Sequence, residues 1–296
     1  MREEPSRSGA MAYVTVVSTD SYLAGALALD ESLRLCKSRY PLYVLVGSRV
    51  TGAVRETLAK AAIPTIDLPP IAVPEEIRQA NVASDYHRHW AGVFEKLFVF
   101  SLCQFEKVVF LDSDMLVVRN IDDLFGKPHM AAVIADVGPG GQDSRDLNAG
   151  LMVIEPAADL TDRLVATLPA VFEQEKRWRT AAGRPPSMGV QSVINAFWSD
   201  WITRSELHLD RTYNVIANDL DRYMKSLGYR WRGPDGIRVL HFIGEVKPWM
   251  RTGTSFFRWA ARLLGRRRFR EVAASVAFMA VLGRARLRLG RFVAAG

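Results

Sequence analysis

Two carboxylates, Asp112 and Asp114, flank Ser113 at the end of the apolar run Val108 to Leu111, within VVFLDSDMLVV. Four consecutive apolar residues read as a strand buried on both faces. In open α/β sheets, ligands gather outside the carboxyl ends of the strands. Acidic side chains at such an end suit an oxygen-loving divalent cation and, through it, a phosphate group. Successive side chains of an extended chain alternate, so the two carboxylates converge on one ion only if the strand stops there. The bland alternative is a turn or helix N-cap pair. Asp219-Leu220-Asp221 has the same pattern with no apolar strand before it and reads as solvated surface.

A second constellation lies about 130 residues on, in LHFIGEVKPW. His241 follows a short apolar strand, Gly244 permits close backbone approach, and Lys247 offers a point charge for a phosphate. A neutral imidazole and two carboxylates complete the inner shell of Mn²⁺ or Mg²⁺ and leave positions for two phosphate oxygens. A satisfied core histidine is the plainer reading of His241. The Asp-x-Asp strand end also resembles the nucleophile segment of haloacid-dehalogenase-like phosphatases, in which the first aspartate attacks a phosphate. Leu116 stands where that pattern usually has Thr or Val, and no later acidic pair is evident.

The elements that must position these groups alternate. Tyr13 to Val17 reads as a strand, Ser21 to Cys36 as a helix, Leu42 to Val46 as a strand, Thr51 to Ala62 as a helix and Ile63 to Leu68 as a short strand. That order predicts parallel strands with helices on both faces, the doubly wound class. Pro74 to Trp90 has no clean period and reads as a loop or short helices, one form of which is a mobile lid. Val93 to Gln104 has helical spacing. Met130 to Ala135, Leu151 to Ile154 and Val239 to Phe242 are further strands, and Ala158 to Arg179 and Met188 to Trp198 further helices. Asp136 to Asp146 is a loop rich in glycine and aspartate.

At 296 residues and 49% hydrophobic content the chain is large enough for one large α/β domain or two small ones. Its first residues, MREEPSRSGA, lack the apolar core of a secretory signal, so export is not expected. Val272 to Gly283, 12 residues, is shorter than the roughly 20 a spanning helix needs. Cys36 and Cys103 fall in segments that read as amphipathic helices and are expected to be buried thiols in a reducing cytosol.

Of the net charge of +7, residues 251–296, with eleven arginines and one glutamate, carry +10, which leaves residues 1–250 at −3. The basic stretch mixes Phe256, Phe257, Trp259, Leu263, Leu264 and Phe269 with arginine runs, and reads as one or two amphipathic helices on an anionic membrane surface. A disordered basic tail and a nucleic-acid-binding arm compete with that reading. The expected division is a catalytic domain over 1–250 and a membrane-associating tail over 251–296, on a cytoplasmic protein held peripherally at the inner face of the membrane, with no nucleic-acid partner.

Six motifs in order resemble one family: YVTVVSTDSYLAGALALDESL, FEKLFVFSL, LDSDMLVVRNIDDLF, LNAGLMV, VQSVIN and HFIGEVKPW. From about Tyr13 to Trp249 the chain is similar to glycosyltransferase family 8, which includes glycogenin, galactinol synthase and bacterial lipopolysaccharide galactosyltransferases. The resemblance implies a GT-A fold, Rossmann-like with a mostly parallel sheet and helices on both faces, a UDP-hexose donor, Mn²⁺ and retention at the anomeric carbon. By that resemblance Asp112, Asp114 and His241 are metal ligands, and Val16, Ser18 and Tyr22 line the uridine site. Lys96, Ser113 and Asn148 contact the donor, Gly244 and Lys247 hold the diphosphate, and Gln191 sits beneath the anomeric carbon. Metal and Lys247 act together as the leaving-group acid.

One departure is plain. The family commonly has aspartate before the glutamine that corresponds to Gln191, and here that residue is Val190; Ser187 likewise replaces an acidic residue. With no carboxylate near Gln191, the acceptor hydroxyl is expected to attack on the face the phosphate leaves. A degenerate nucleotide-sugar binder without turnover is the alternative. Tyr223 is expected to be a helix-surface aromatic rather than a self-glycosylated residue, so the acceptor is another molecule, a glycan or a lipid-linked glycan.

Overall fold

A computed structural model describes residues 9–84, 88–135, 146–231, 233, 235–251 and 253–294. The β-branched and aromatic runs form β1 (Met11–Val17), β2 (Leu42–Val46), β3 (Thr65–Asp67) and β4 (Lys107–Leu111), which pair in parallel in the order β3-β2-β1-β4. Helices α1 (Leu23–Leu35) and α2 (Gly52–Lys60) make the crossovers after β1 and β2. β6 (Ala132–Ile134) and β7 (Leu147–Ile154) extend the sheet beyond β4, with β7 antiparallel to both neighbours. The sheet is therefore mostly parallel, with an antiparallel edge. The loop expected over Asp136 to Asp146 lies, apart from Asp146, outside the described residues.

The apolar residues on either side of Asp112-Ser113-Asp114 belong to two strands of two sheets. β5 (Met115–Val117) leaves the main sheet and joins β9 (Val239–His241) and β8 (Val215–Ile216) in the order β5-β9-β8. The turn between β4 and β5, with Met115 N donating to Asp112 O at 3.0 Å, is what the two aspartates occupy.

Pro74 to Ala83 is ordered by α3 (Glu75–Ala83), whose Asn81 both donates to and accepts from the Met188 backbone, at 2.9 and 2.8 Å. A 3-10 helix over Arg88–Ser101 follows. The helix expected over Ala158 to Arg179 is broken into α4 (Leu160–Ala166) and α5 (Leu168–Ala181), because Pro169 has no N–H for a continuous ladder. α6 (Val190–Phe197) carries Gln191, and α7 (Leu220–Lys225) follows β8. Asp219 and Asp221 at α7 pair with Arg222, Lys225 and Arg270, a surface ion-pair network away from any strand end.

Three expectations are corrected. Cys103 is exposed in the turn after the 3-10 helix, because Phe105 takes the buried place there. Tyr223 is 1% exposed and packs in the core beside Tyr229 rather than on a helix surface. The described residues of the basic stretch, 253–294, are helical as expected but do not all stand apart from residues 1–250 as a membrane-associating tail. They form α8 (Gly253–Gly265) and α9 (Phe269–Ala294), and α9 lies along α1 with Ala274, Phe278, Leu282 and Ala285 fully buried. Their spacing of four, four and three places them on one helical stripe. Arg288 pairs with Asp30 at 2.7 Å and Glu31 at 3.0 Å, two otherwise buried acids of α1. Three of the four α9 stripe residues are small or aliphatic amid arginines, which is why the stretch reads as a tail when only its charge is weighed. α8 does keep an apolar exposed side, with Phe257 72% exposed.

Candidate active site

The site is assembled by strand register. β5 runs antiparallel to β9 with Met115 opposite His241, so the residue just before β5, Asp114, arrives beside that imidazole. Phe242 N donates to Asp114 O at 2.9 Å and closes the corner. β7 pairs with β4 so that Leu151 faces Leu111, and Asp112 N donates to Gly150 O at 2.8 Å. The segment Asn148-Ala149-Gly150 therefore runs beside the aspartate turn. A Cβ on Gly150 would stand 2.7 Å from the His241 ring, so only glycine lets the strand pass.

Val16, Ser18, Tyr22, Lys96, Asp112, Ser113, Asp114, Asn148, Gln191, His241, Gly244 and Lys247 all line one cleft of about 480 Å³. Each candidate site residue read from the sequence is thus placed in the same depression, at the carboxyl ends of β1 and β4. Val93, Ala149, Gly150, Val190, Ile243 and Glu245 complete the lining. Ser18 follows β1 directly, and Tyr22 precedes α1 with its ring edge-on to Trp249 at 6.1 Å. Burial, followed by the charges of Asp114 and Asp112, pushes the Tyr22 phenol up to about 12.

The two carboxylates are each shared. Lys96 Nζ lies 2.6 Å from Asp112 Oδ1, and Lys247 Nζ lies 2.5 Å from Asp114 Oδ2. The other oxygens turn to His241 Nε2, Asp114 Oδ1 at 3.3 Å and Asp112 Oδ2 at 3.8 Å. Burial alone would raise the Asp114 carboxyl, yet His241 and Lys247 outweigh it and hold the group well below the usual carboxylate range. Two aspartates and two lysines balance, so a doubly charged cation and a dianionic diphosphate can enter together without leaving a buried excess charge.

Ligand atoms of Asp112, Asp114 and His241 all lie within 4.8 Å of one another. A six-coordinate ion with bonds near 2.1 Å sets adjacent ligand atoms about 3 Å apart; His241 Nε2 stands 3.3 and 3.8 Å from the two carboxylates, so small side-chain shifts would let the three residues hold a divalent cation. Hard carboxylate oxygens with one imidazole suit Mg²⁺- or Mn²⁺-like ions.

Gly244 has φ of +94°, a left-handed conformation that glycine adopts without strain, and so turns the chain between His241 and Lys247. Lys247 is 5% exposed and also donates to Phe242 O at 3.1 Å. Gln191 Oε1 accepts from Ala149 N at 3.1 Å, which leaves its Nε2 end for the cleft. Beside it Val190, 4% exposed, makes that end of the cleft apolar. Glu245, Gly150 and the supporting Asn214 and Asn195 were not singled out by sequence. Asn195 holds the Leu147 backbone by both N–H and C=O, at 2.8 and 3.1 Å. Its place one helical turn after Gln191 was the only signal for it.

A sheet ordered 3-2-1-4, an antiparallel return strand and a carboxylate pair at the end of β4 define a GT-A fold of the glycosyltransferase type. The fold is shared with the galactosyltransferase LgtC, solved with donor and acceptor sugar analogs, at 16% identity, TM-score 0.56 and coverage of 93% of this chain and 96% of that one. It is shared also with apo GlyE of Streptococcus pneumoniae, at 18% identity, TM-score 0.57 and coverage of 97% and 64%. The glycosyl transferase family 8 model matches residues 13–253, and the chain belongs to that family. Human glycogenin-1 is 29% identical over 241 residues, 80% of this chain and 62% of that protein. The chain thus spans less than two thirds of the length of that relative. Family membership excludes the phosphatase reading of Asp112 and Asp114.

Proposed function

We propose that the chain is a metal-dependent retaining hexosyltransferase that uses a nucleotide sugar, UDP-glucose or UDP-galactose, to glycosylate a membrane-associated or lipid-linked glycan. The observation that carries the reading is the convergence of Asp112, Asp114 and His241 in the cleft that also holds Lys96, Asn148, Gln191, Gly244 and Lys247. Asp112, Asp114 and His241 would hold Mn²⁺, or Mg²⁺ in its place. When bound, that ion supplies charge stabilisation to the departing diphosphate.

The chain's own groups account for the rest. Val16, Ser18 and Tyr22 lie at the end of β1 where a uridine would dock, and Ser113 and Asn148 line the same cleft, where they would contact the donor. Lys96 and Lys247 pair with one oxygen of each aspartate and line the cleft, where their ammonium groups would meet phosphate oxygens of the donor. Charge on the leaving nucleoside diphosphate grows as the sugar–phosphate bond lengthens, so preplaced ammonium groups lower the barrier. Gln191 presents an amide N–H rather than a carboxylate, in line with attack by the acceptor on the face the phosphate leaves.

The acceptor side rests on α8, whose exposed Phe257 and Leu264 stand among Arg258, Arg262, Arg266 and Arg267. Such a face suits the anionic inner leaflet, at about 1 kcal/mol per arginine that reaches it. Among the described residues no helix is long and apolar enough to cross a membrane. Val190 favours one other reading, a nucleotide-sugar binder without turnover, because it offers the sugar no hydrogen bond.

A panel of nucleotide sugars with Mn²⁺, scored for donor hydrolysis and for transfer, separates the two. Turnover abolished by chelation and by Asp112→Asn supports the transferase. Binding of UDP sugars with no turnover of any donor supports the binder. Mass-spectrometric capture of a covalent glycosyl-enzyme would contradict same-face attack.

A further inference from the structure

The two ring nitrogens of His241 meet different chemistry. Nε2 faces Asp114 and Asp112, while Nδ1 lies 2.9 Å from Asn214 Oδ1. A neutral imidazole ligates only through the nitrogen that carries no proton, so the site works only in one tautomer.

The structure supplies a chain of hydrogen bonds that decides which. It starts at a backbone group with no freedom to change role, the N–H of Gly150, which stands 2.8 Å from Asn148 Oδ1. An N–H only donates, so Asn148 must present its carbonyl oxygen there. Asn214 reaches that same oxygen at 2.9 Å and must therefore present its amide nitrogen. Its own oxygen is then the atom left for the imidazole. An amide oxygen only accepts, so Nδ1 carries a proton, and Nε2, on the carboxylate side, is the nitrogen that can give its lone pair to a cation. With the Asn214 amide reversed, two oxygens would meet at Asn148 and an N–H would face Nδ1. The ring proton would then move to Nε2, into the space where the ligand atoms converge.

Asn214 has no access to water that would satisfy it otherwise, being 3% exposed at the entry to β8. The parallel pairing of β8 with β9, Ile216 beside His241, fixes its position along the imidazole. A buried amide costs stability unless both its ends are paired, and both are.

We infer that Asn214 is a positioning residue that, oriented through Asn148 by the Gly150 N–H, locks His241 in its Nδ1–H tautomer and keeps Nε2 available to a divalent cation. The consequence for metal rests on the reading under Proposed function; the tautomer does not.

Long-range ¹H–¹⁵N correlation spectra of the metal-free chain at pH 8 read the tautomer directly. The chain has five histidines, and loss of one signal set in His241→Gln assigns the ring. The expected result is Nδ1–H. Mn²⁺ binding, followed by the electron paramagnetic resonance of the free ion, is then compared among wild type, Asn214→Leu and Asn214→Asp. Asn214→Leu removes the acceptor and is expected to weaken Mn²⁺ binding about 10–100-fold, the usual cost of losing such a support. Asn214→Asp keeps an acceptor at Nδ1 and is expected to retain the tautomer and bind within about tenfold of wild type, tighter than Asn214→Leu. A wild-type His241 with no proton on Nδ1 overturns the inference whether or not Asn214→Leu folds, whereas a proton on Nδ1 supports it whether or not Nε2 also carries one. Mn²⁺ binding by a folded Asn214→Leu equal to wild type also overturns it. An Nδ1–H ring in a wild-type chain that takes up no Mn²⁺ leaves the lock standing and sinks the metal reading.

Discussion

Replacing Phe278 by alanine tests whether α9 belongs to the catalytic body. Phe278 is fully buried, stacked on Trp249 at 5.2 Å and edge-on to Phe242 at 5.1 Å. Both partners belong to the segment that carries His241, Gly244 and Lys247, so the cavity would open directly behind the turn from Gly244 to Lys247. Truncation of a fully buried phenylalanine costs about 3–5 kcal/mol, which includes the lost ring contacts. For a chain of this length about 2 °C of melting temperature goes with each kcal/mol, so a fall of roughly 6–10 °C is expected. Differential scanning calorimetry of the full chain measures it. Trp249 also donates to Ser21 O at 2.8 Å beside Tyr22, so weaker UDP binding by titration calorimetry is expected from the same variant. Removal of residues 251–296 should be worse, since it bares the α1 face and strips Asp30 and Glu31 of Arg288. A Phe278→Ala chain that melts within 1–2 °C of wild type, or a stable truncated chain, would refute the placement of α9 in the core.

Phe257→Ala, at a 72% exposed position of α8, is expected to leave the melting temperature unchanged and to reduce sedimentation with anionic liposomes, a difference that Phe278→Ala should not show. Gly150→Ala places a methyl group 2.7 Å from the His241 ring and 2.9 Å from Asn148 Oδ1. Overpacking of that kind costs about 1–3 kcal/mol, and the displaced ring should lower Mn²⁺ affinity measured by calorimetry. The Tyr22 phenol, raised to about 12 by burial and then by the two aspartates, holds its proton more tightly folded than unfolded. That contribution is complete below pH 10, the unfolded value, and is lost as pH rises toward 12. Chemical denaturation across that range should show a steeper loss in wild type than in Tyr22→Phe; parallel profiles would contradict the assignment.

The candidate ligands and most of the order of elements were legible in the residues alone. The apolar run before Asp112, the glycine at 244 and the strand–helix alternation each follow from local rules, because burial, backbone freedom and side-chain period leave marks within a few residues. The gathering of twelve separated residues into one cleft was legible only because their types form an ordered set of motifs. What the tertiary structure decided depends on register between distant segments. The pairing of Met115 with His241 brings a histidine to the aspartates, and no spacing in the chain encodes that contact. Gly150 and Asn214 are ordinary residues in isolation and gain their roles only because β7 and β8 flank the same imidazole. α9 was misread for the same reason. Arginine content is a property of the segment, whereas the burial of Phe278 and the acids that await Arg288 belong to the surface of α1. Local composition records what a segment can do in water, and only packing settles whether it meets water at all.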